Sequence, residues 1–259
     1  MKNNTIGFIG GGRGTRIFLH GWKQANALPQ NIVVSDPNAE ALSRLKAEFP
    51  AVEVAPGGNR QAAAQSVVFF AVHPPVMMAM LAELSGAVSP DAMVISLAPK
   101  FTLAKLALAL GGHAKLARVI PNAPSIIGAG FNPLTFAPSL PVAAREGLKA
   151  LLAPLGDCPE VAEPKLEAYA LLTGMGPTYL WFQLETLREL GRTFGLTDED
   201  LAPALKRMAC GTARTLFDSG LTPAQVMDLV PVKPLAEDEV AFKQAYQTRL
   251  PALFAKIKP

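Results

Sequence analysis

Short apolar runs alternate with amphipathic stretches over residues 1–160. Stretches such as Glu40–Phe49 and Thr102–Leu110 repeat apolar residues at helical spacing, and Gly111-Gly112 ends the second of them. The runs between them have the length and composition of buried strands: Ile6–Ile9, Ile32–Val34, Val67–Val72, Ala92–Leu97 and Leu116–Ile120. This alternation predicts an α/β fold, in which helices cover both faces of a parallel sheet.

After about Pro159 the pattern is helical only. A long amphipathic stretch covers Gly176–Phe194, a second one follows Thr197 over Asp198–Phe217, and Thr222-Pro223-Ala224-Gln225 has the residues of a capping box. We therefore predict a sheet domain over 1–160 and a second, all-helical domain over 161–259.

The first strand runs into a glycine-rich turn that is typical of dinucleotide-binding domains of the Rossmann type. Gly10 allows a tight turn, Gly12 lets the backbone approach a pyrophosphate, and a helix starting near Arg13 directs free N–H groups at phosphates. Gly14 belongs to the same turn. Thr15 stands where the motif has a third Gly or Ala, which predicts a helix slightly further from the strand. The alternative is a plain turn without a ligand.

The second strand ends at Asp36, near the position where such folds place a ribose-binding carboxylate. A carboxylate accepts hydrogen bonds from ribose hydroxyls and repels a 2′-phosphate, so Asp36 favours NADH over NADPH unless a cation such as Arg60 offsets its charge. In the alternative interpretation Asp36 is only the N-cap of a helix that begins at Pro37-Asn38.

Composition excludes several classes of protein. The 259 residues are half apolar, and the net charge of +3 is not concentrated in a basic run of the kind that binds nucleic acid. Cys158 and Cys210 are expected to be buried and reduced, and the three separate histidines indicate no metal site. No signal peptide is recognisable, and the longest apolar stretch, Val67–Leu84, cannot span a bilayer because His73-Pro74-Pro75 interrupts it and Glu83 lies near its end. A cytoplasmic protein without membrane partners is expected.

Five segments, in order, resemble the pyrroline-5-carboxylate reductase family. They are the glycine turn, Val68-Phe69-Phe70-Ala71-Val72-His73-Pro74 (AVKP in the family), Val94-Ile95-Ser96-Leu97-Ala98, Arg118-Val119-Ile120-Pro121-Asn122-Ala123-Pro124 (RVMPNTP) and Thr173-Gly174-Met175-Gly176-Pro177-Thr178-Tyr179 (SGSGPAY). The resemblance implies that the cofactor contacts Asn59, Ala71, Val72, Pro74 and Asn122.

The same resemblance implies that the loop and helix start at Gly174–Gly176 hold the substrate. Free N–H groups of a helix N-terminus there would bind the acid group of a cyclic imine, although the two glycines are also explained by close helix packing. We assign catalytic roles to His73, Thr173 and Thr178. His73 follows a strand, and the near-neutral pKa typical of histidine suits proton transfer. It is equally well explained as a solvated loop residue.

Three substitutions depart from the family: His73 replaces a Lys, Met175 replaces the second Ser of the loop, and Phe182 replaces a Thr that reaches the substrate. The C-terminal stretch Met227–Glu239 lacks the SPGGTT loop of the family. We therefore expect Gly174, Met175, Gly176 and Phe182 to form a more apolar substrate pocket, which suits a bulkier or more apolar imine or oxo acid.

The resulting hypothesis is an NAD(P)H-dependent oxidoreductase that reduces the C=N bond of a small cyclic imino acid, as in proline biosynthesis. The alternatives are a dinucleotide-binding regulator without catalysis and a reductase of a related imine or oxo acid. A 3-hydroxyacid dehydrogenase needs a Lys on the long helix, and Gly176–Phe194 has none.

The helical domain also carries more apolar surface than it can bury alone, with Leu180, Trp181, Leu184, Leu187 and Leu190 on one helix. We expect a homodimer or higher homo-oligomer, with a compact monomeric cap as the alternative.

Overall fold

The computed structural model describes residues 5–259, and it divides into two compact units. One comprises the chain up to Met175 together with Leu253–Pro259, and the other is Gly176–Ala252. The division after Met175 lies later in the chain than the predicted boundary at 160/161, because the segment between them packs on the sheet unit: Leu166 and Ala170 are buried against Ile120. The assignment of separate functions to the two domains stays a prediction.

A seven-stranded sheet in the order β3-β2-β1-β4-β5-β6-β8 forms the centre of the first unit. All neighbouring strands are parallel except β6 and β8, which are antiparallel, and β7 pairs with β9 in a small separate sheet. The strands are β1 Ile6–Ile9, β2 Ile32–Asp36, β3 Glu53–Pro56, β4 Val67–Phe70, β5 Met93–Ser96, β6 Leu116–Val119, β7 Gly130–Phe131, β8 Leu134–Phe136 and β9 Gly156–Asp157.

The predicted α/β fold with a parallel sheet is confirmed, and the five predicted strands are present: β1 has the predicted ends, β2 extends two residues further to Asp36, and the other three are shorter than predicted. Strand residues alternate between the two faces. Phe8 stacks on Phe69 with ring centroids 4.7 Å apart in one core, while Val68 and Phe70 lie in the core on the other face. Trp22 is fully buried in the first core, where its indole N–H donates to the Leu151 carbonyl at 2.8 Å. Helices cover both faces, as expected of parallel sheets.

The helices agree with the predicted ones in type, with ends shifted by the usual small amounts. Thr102 caps its helix by accepting from the Lys105 N–H at 3.2 Å, and both hydrogen bonds of the Thr222 capping box are present. The helices are α1 Arg13–Gln24, α2 Ala39–Glu48, α3 Asn59–Ala63, α4 Pro74–Glu83, α5 Leu103–Ala109, α6 Val142–Leu152, α7 Leu166–Tyr169, α8 Pro177–Thr193, α9 Asp198–Asp218, α10 Pro223–Asp228 and α11 Glu239–Ile257.

The second unit is helical and has almost no core of its own. Within Gly176–Ala252 only Gly191 and Leu201 are buried, and they contact each other where α8 and α9 pack. Large apolar side chains such as Trp181, Phe217 and Leu229 are more than half exposed.

The cysteine prediction was half right. Cys158 and Cys210 form no disulfide, but Cys210 is exposed rather than buried because it lies on α9 in the unit without a core. Cys158 is half-buried, and burial raises the pKa of its thiol to about 11. Within residues 5–259 no helix has both the length and the apolar composition needed to cross a membrane.

Candidate functional site: a cleft at the carboxyl ends of the parallel strands

A cleft of about 340 Å³ opens in the sheet unit, where β1, β2, β4 and β5 end. The chain leaves β1 toward β2 on one side and returns to β4 on the other, and such switch points bind ligands in open α/β sheets. The lining residues are Gly10, Gly12, Arg13, Gly14, Asp36, Pro37, Ala71, Val72, His73, Pro74, Val76, Leu97, Ala98, Pro99 and Pro121. Most of the predicted cofactor residues are therefore brought together.

The glycine turn is open on its cleft side. Gly10 has φ +106°, which only glycine adopts readily, and an added Cβ would also meet the Ala71 carbonyl. A Cβ on Gly12 would meet no heavy atom within 4 Å, so it would project into the cleft. α1 begins at Arg13, and no side chain caps its N-terminus. The turn thus has the open backbone and the free N–H groups that a pyrophosphate requires.

Thr15 supports the turn from behind. Its side chain is fully buried and its hydroxyl donates to the Gly10 carbonyl, so the chain satisfies the extra polar group that replaces the third glycine. Thr15 is not among the residues that line the cleft. A direct contact between Thr15 and the cofactor stays a prediction.

Asp36 lines the cleft and holds two backbone N–H groups. Its Oδ2 accepts from Gly11 and its Oδ1 accepts from Asn38, each at 2.8 Å. The alternative that Asp36 is the N-cap of α2 is wrong, because Asn38 has the N-cap position and accepts from the Ala41 N–H. A carboxylate has about four acceptor sites, so two acceptor sites remain for ribose hydroxyls.

Asn59 and Arg60 are engaged outside the cleft. The Asn59 side chain accepts from the Ser35 hydroxyl and donates to the Glu83 carboxylate, both at 2.7 Å. Arg60 donates to the Glu83 carbonyl at 3.2 Å. Neither residue lines the cleft. Contact of Asn59 with the cofactor and compensation of the Asp36 charge by Arg60 stay predictions.

His73 lines the cleft between β4 and α4 and occupies the N-cap position of α4. It is also exposed, so both interpretations made from the sequence, proton transfer and a solvated loop residue, remain consistent with its place.

Asn122 faces the segment that follows α7 rather than the cleft. Its Nδ2 donates to the Thr173 carbonyl, and its own N–H donates to Asn132 Oδ1 at 2.9 Å. The Thr173 hydroxyl donates to the Tyr169 carbonyl at 2.8 Å. Catalytic contact by Thr173 and cofactor contact by Asn122 therefore stay predictions.

The predicted helix start at Gly174–Gly176 differs from the structure. Residues Ala170–Gly174 form a π-helical turn that continues α7, and the Met175 N–H donates to the Ala170 carbonyl at 2.9 Å. Pro177, the first residue of α8, has no N–H to offer. The expectation of a row of free N–H groups was thus wrong, because the backbone enters this stretch already helical.

Gly176, Thr178 and Phe182 belong to the second unit. Gly176 has helical backbone angles immediately before α8, and Thr178 and Phe182 lie on α8 with exposed side chains. The assignment of all three to the substrate site stays a prediction.

Sequence reasoning did not assign the other cleft residues, namely Pro37, Val76, 97–99 and Pro121. The sequence does allow residues 97–99 to be placed in the cleft, because a segment that follows a buried parallel strand lies at the same edge of the sheet as the glycine turn.

The chain is similar in sequence to known proteins. Residues 5–100 match the family described as NADP oxidoreductase, coenzyme F420-dependent. Pyrroline-5-carboxylate reductase of Corynebacterium melassecola is 31% identical over 229 residues, which cover 86% of this chain and 83% of the relative. The enzyme of the same name from Escherichia coli K12 is 27% identical over 87% of this chain and 84% of its own length.

Two solved structures have a fold similar to that of this chain. Plasmodium falciparum pyrroline carboxylate reductase with NADP bound has a TM-score of 0.81 at 21% identity, and the match covers 100% of this chain and 98% of that chain. A pyrroline-5-carboxylate reductase from Coxiella burnetii has a TM-score of 0.69 at 27% identity, covering 98% and 94%.

Proposed function

The chain belongs to the pyrroline-5-carboxylate reductase family of NAD(P)-dependent oxidoreductases, and we propose that it reduces the C=N bond of a small cyclic imino acid in proline biosynthesis. The observation that carries the proposal is the cleft, in which the open glycine turn and the segment after β4 form one surface. The family relationship supplies the reaction, and the cleft supplies a place for the cofactor.

The residues of the cleft fit a nicotinamide dinucleotide. When bound, NAD(P)H would supply the hydride. The N–H groups at the start of α1 would hold the pyrophosphate, and the apolar walls at Ala71, Leu97 and Ala98 would exclude water from the nicotinamide ring. His73, exposed on the same wall, would hold a proton on its imidazole for transfer to the imine nitrogen.

The preferred cofactor is NADH in this proposal. Asp36 is the carboxylate of the cleft wall, and its negative charge would repel the 2′-phosphate of NADPH. Its position at the end of β2, next to the turn, suits hydrogen bonds to the adenosine ribose.

Turnover tests the proposed function. The protein should oxidise NADH steadily with pyrroline-5-carboxylate or with a cyclic imino acid that is bulkier or more apolar. Cofactor binding without turnover, over a broad panel of cyclic imines and oxo acids, would instead support a dinucleotide-binding regulator.

The pocket substitutions predict a gain of activity on pyrroline-5-carboxylate. Phe182→Thr with Met175→Ser restores two polar residues of the family, and kcat/KM should rise by about 5- to 10-fold, which corresponds to one or two new hydrogen bonds of modest net strength. Phe217→Thr is the matched control, because Phe217 is an exposed phenylalanine on α9 outside the assigned pocket. If the double variant folds, binds cofactor and gains nothing, the substrate-site assignment of Met175 and Phe182 is wrong.

The exposed apolar surface of the second unit supports a homodimer. Leu187 and Leu190 on α8 are 43% and 45% exposed, although leucine is normally buried. Light scattering should show a stable dimer at micromolar concentration, and Leu187→Glu should dissociate it, whereas Glu189→Gln on the same helix should not. A stable monomer of the native chain at that concentration contradicts the proposal.

A further inference from the structure

A buried guanidinium lies on β6. Arg118 is fully buried, and its guanidinium contacts Glu163 Oε1 at 3.0 Å and Glu167 Oε1 at 2.5 Å. The Glu167 side chain is only 1% exposed, and its Oε2 has no hydrogen-bond partner among the described residues. Such pairs are often no more stabilising than apolar residues of the same size, because both charges lose their hydration. Stability alone is therefore a weak explanation for this pair.

Glu167 also holds the wall of the cleft. Its Oε1 accepts from the Lys100 N–H at 3.2 Å. Lys100 has φ +80°, a left-handed conformation that is uncommon outside glycine, and it directly follows residues 97–99, which line the cleft. The carboxylate thus contributes to fixing the end of this wall segment.

The same carboxylate lies on α7, which continues into the π-helical turn Ala170–Gly174. At the far end of that turn, Asn122 donates to the Thr173 carbonyl. Two residues therefore hold the π-helical turn. Arg118, on β6, binds Glu167 just before the turn, and Asn122, in the loop after β6, binds Thr173 near the end of the turn.

We propose that Glu167 is a positioning residue: its carboxylate fixes residues 170–175 and the cleft wall 97–100 relative to each other. This inference rests on the proposed function, with Leu97 and Ala98 beside the nicotinamide, and on the catalytic and substrate-binding roles that the sequence analysis assigns to Thr173 and Met175. Glu167 does not line the cleft, so it acts through Lys100 and through the helical turn.

The test compares Glu167→Gln with Glu163→Gln. Glutamine keeps the size of the side chain and removes the charge that faces Arg118. Glu163 contacts the same guanidinium, is 27% exposed, and accepts from the Leu103 N–H at 2.7 Å rather than from Lys100. Glu163→Gln therefore removes a charge that faces Arg118 and leaves the Lys100 contact of Glu167 in place, which makes it the matched control. Glu167→Gln should lower kcat on the imino acid by about tenfold or more, because small misplacements of reacting groups are costly. Its Kd for the cofactor should change by less than about twofold, since the phosphate turn is unaltered.

A second readout does not need turnover. Amide hydrogen exchange of residues 170–175 in the cofactor-free protein should become faster in Glu167→Gln and stay at the native rate in Glu163→Gln. If the native protein reduces an imino acid, and Glu167→Gln equals the control in both kcat and exchange, the positioning role is refuted while the proposed function stands. If the native protein reduces no imino acid, the proposed function fails, and exchange alone decides whether Glu167 fixes the turn.

Loss of one buried charge can prevent folding, so a double variant is needed as well. Arg118→Met with Glu167→Leu replaces the pair with apolar side chains of similar size, which buried ion pairs often tolerate. It should melt near the native temperature, yet show faster exchange at 170–175 and the same loss of kcat. Native exchange and native kcat in this double variant would overturn the proposal.

Discussion

Gly12→Val should abolish binding of NADH and NADPH while the protein still folds. The backbone at Gly12 is extended, with φ −77° and ψ −158°, so a side chain needs no left-handed conformation there, and an added Cβ would meet no protein atom within 4 Å. The side chain would instead occupy the place of the pyrophosphate in the cleft. Fluorescence titration with each cofactor measures the loss, and thermal unfolding confirms the fold. Gly12→Ala should give a smaller loss.

A contrasting variant separates steric exclusion from unfolding. Gly7 lies in β1, before the same turn, and an added Cβ would lie 1.9 Å from the Ala62 carbonyl oxygen. Gly7→Ala should therefore lose cofactor binding only because the protein is destabilised, with a lower melting temperature. Retained binding by folded Gly12→Val would refute the assignment of the turn to the pyrophosphate.

Replacing Asp36 should shift the preference from NADH toward NADPH. Removing the charge weakens the contact with the ribose hydroxyls and relieves the repulsion of the 2′-phosphate. We expect a change of about 1–3 kcal/mol, or about 5- to 150-fold in the ratio of the two affinities. Binding constants for both cofactors measure it, with Glu40→Gln as the control for the loss of one exposed acid on α2.

The choice of variant matters because Asp36 also accepts from the Gly11 and Asn38 N–H groups. Asp36→Asn removes the charge and keeps one oxygen acceptor, for one of the two N–H groups, whereas Asp36→Ser or Asp36→Arg removes the carboxyl acceptors of both. Equal weakening of both cofactors in Asp36→Ser, with an unchanged ratio in Asp36→Asn, would reduce Asp36 to a support of the glycine turn.

The central strands were predictable because each is a run of large apolar residues buried on both faces, as at Val67–Phe70. Sequence reasoning missed four strands: β3 and β8, which lie at the two edges of the seven-stranded sheet, and the two-residue strands β7 and β9, which pair with each other. Glu53–Pro56 has only one buried residue, and Leu134–Phe136 runs antiparallel at the opposite edge. Pattern alone does not distinguish such segments from loops, because β3 has a single buried residue and β8, although fully buried, is a run of only three.

The candidate site was predictable wherever the backbone itself forms it. Gly10, Gly12 and the segment after β4 line the cleft because the ends of neighbouring parallel strands share one edge. Side-chain direction was not predictable in the same way. Thr15 and Asn122 occupy the expected places in the chain, but neither side chain lines the cleft. The Thr15 hydroxyl donates to the Gly10 carbonyl, and the Asn122 amide donates to the Thr173 carbonyl. Spacing along a sequence predicts which backbone segments meet, and it does not predict which partner a rotatable side chain selects.

The two tryptophans provide separate optical probes of the two units. Trp22 packs against the rings of Phe8, Phe18 and Phe69. Its emission should therefore be that of an indole in an apolar, rigid environment until the sheet unit unfolds. Trp181 is 53% exposed in the single chain, so a soluble quencher should reach it there. If the proposed homodimer covers Trp181, dilution that separates its subunits should redden the emission of Trp181 alone, and denaturant should redden that of Trp22. One emission spectrum therefore reports assembly and folding as distinct events.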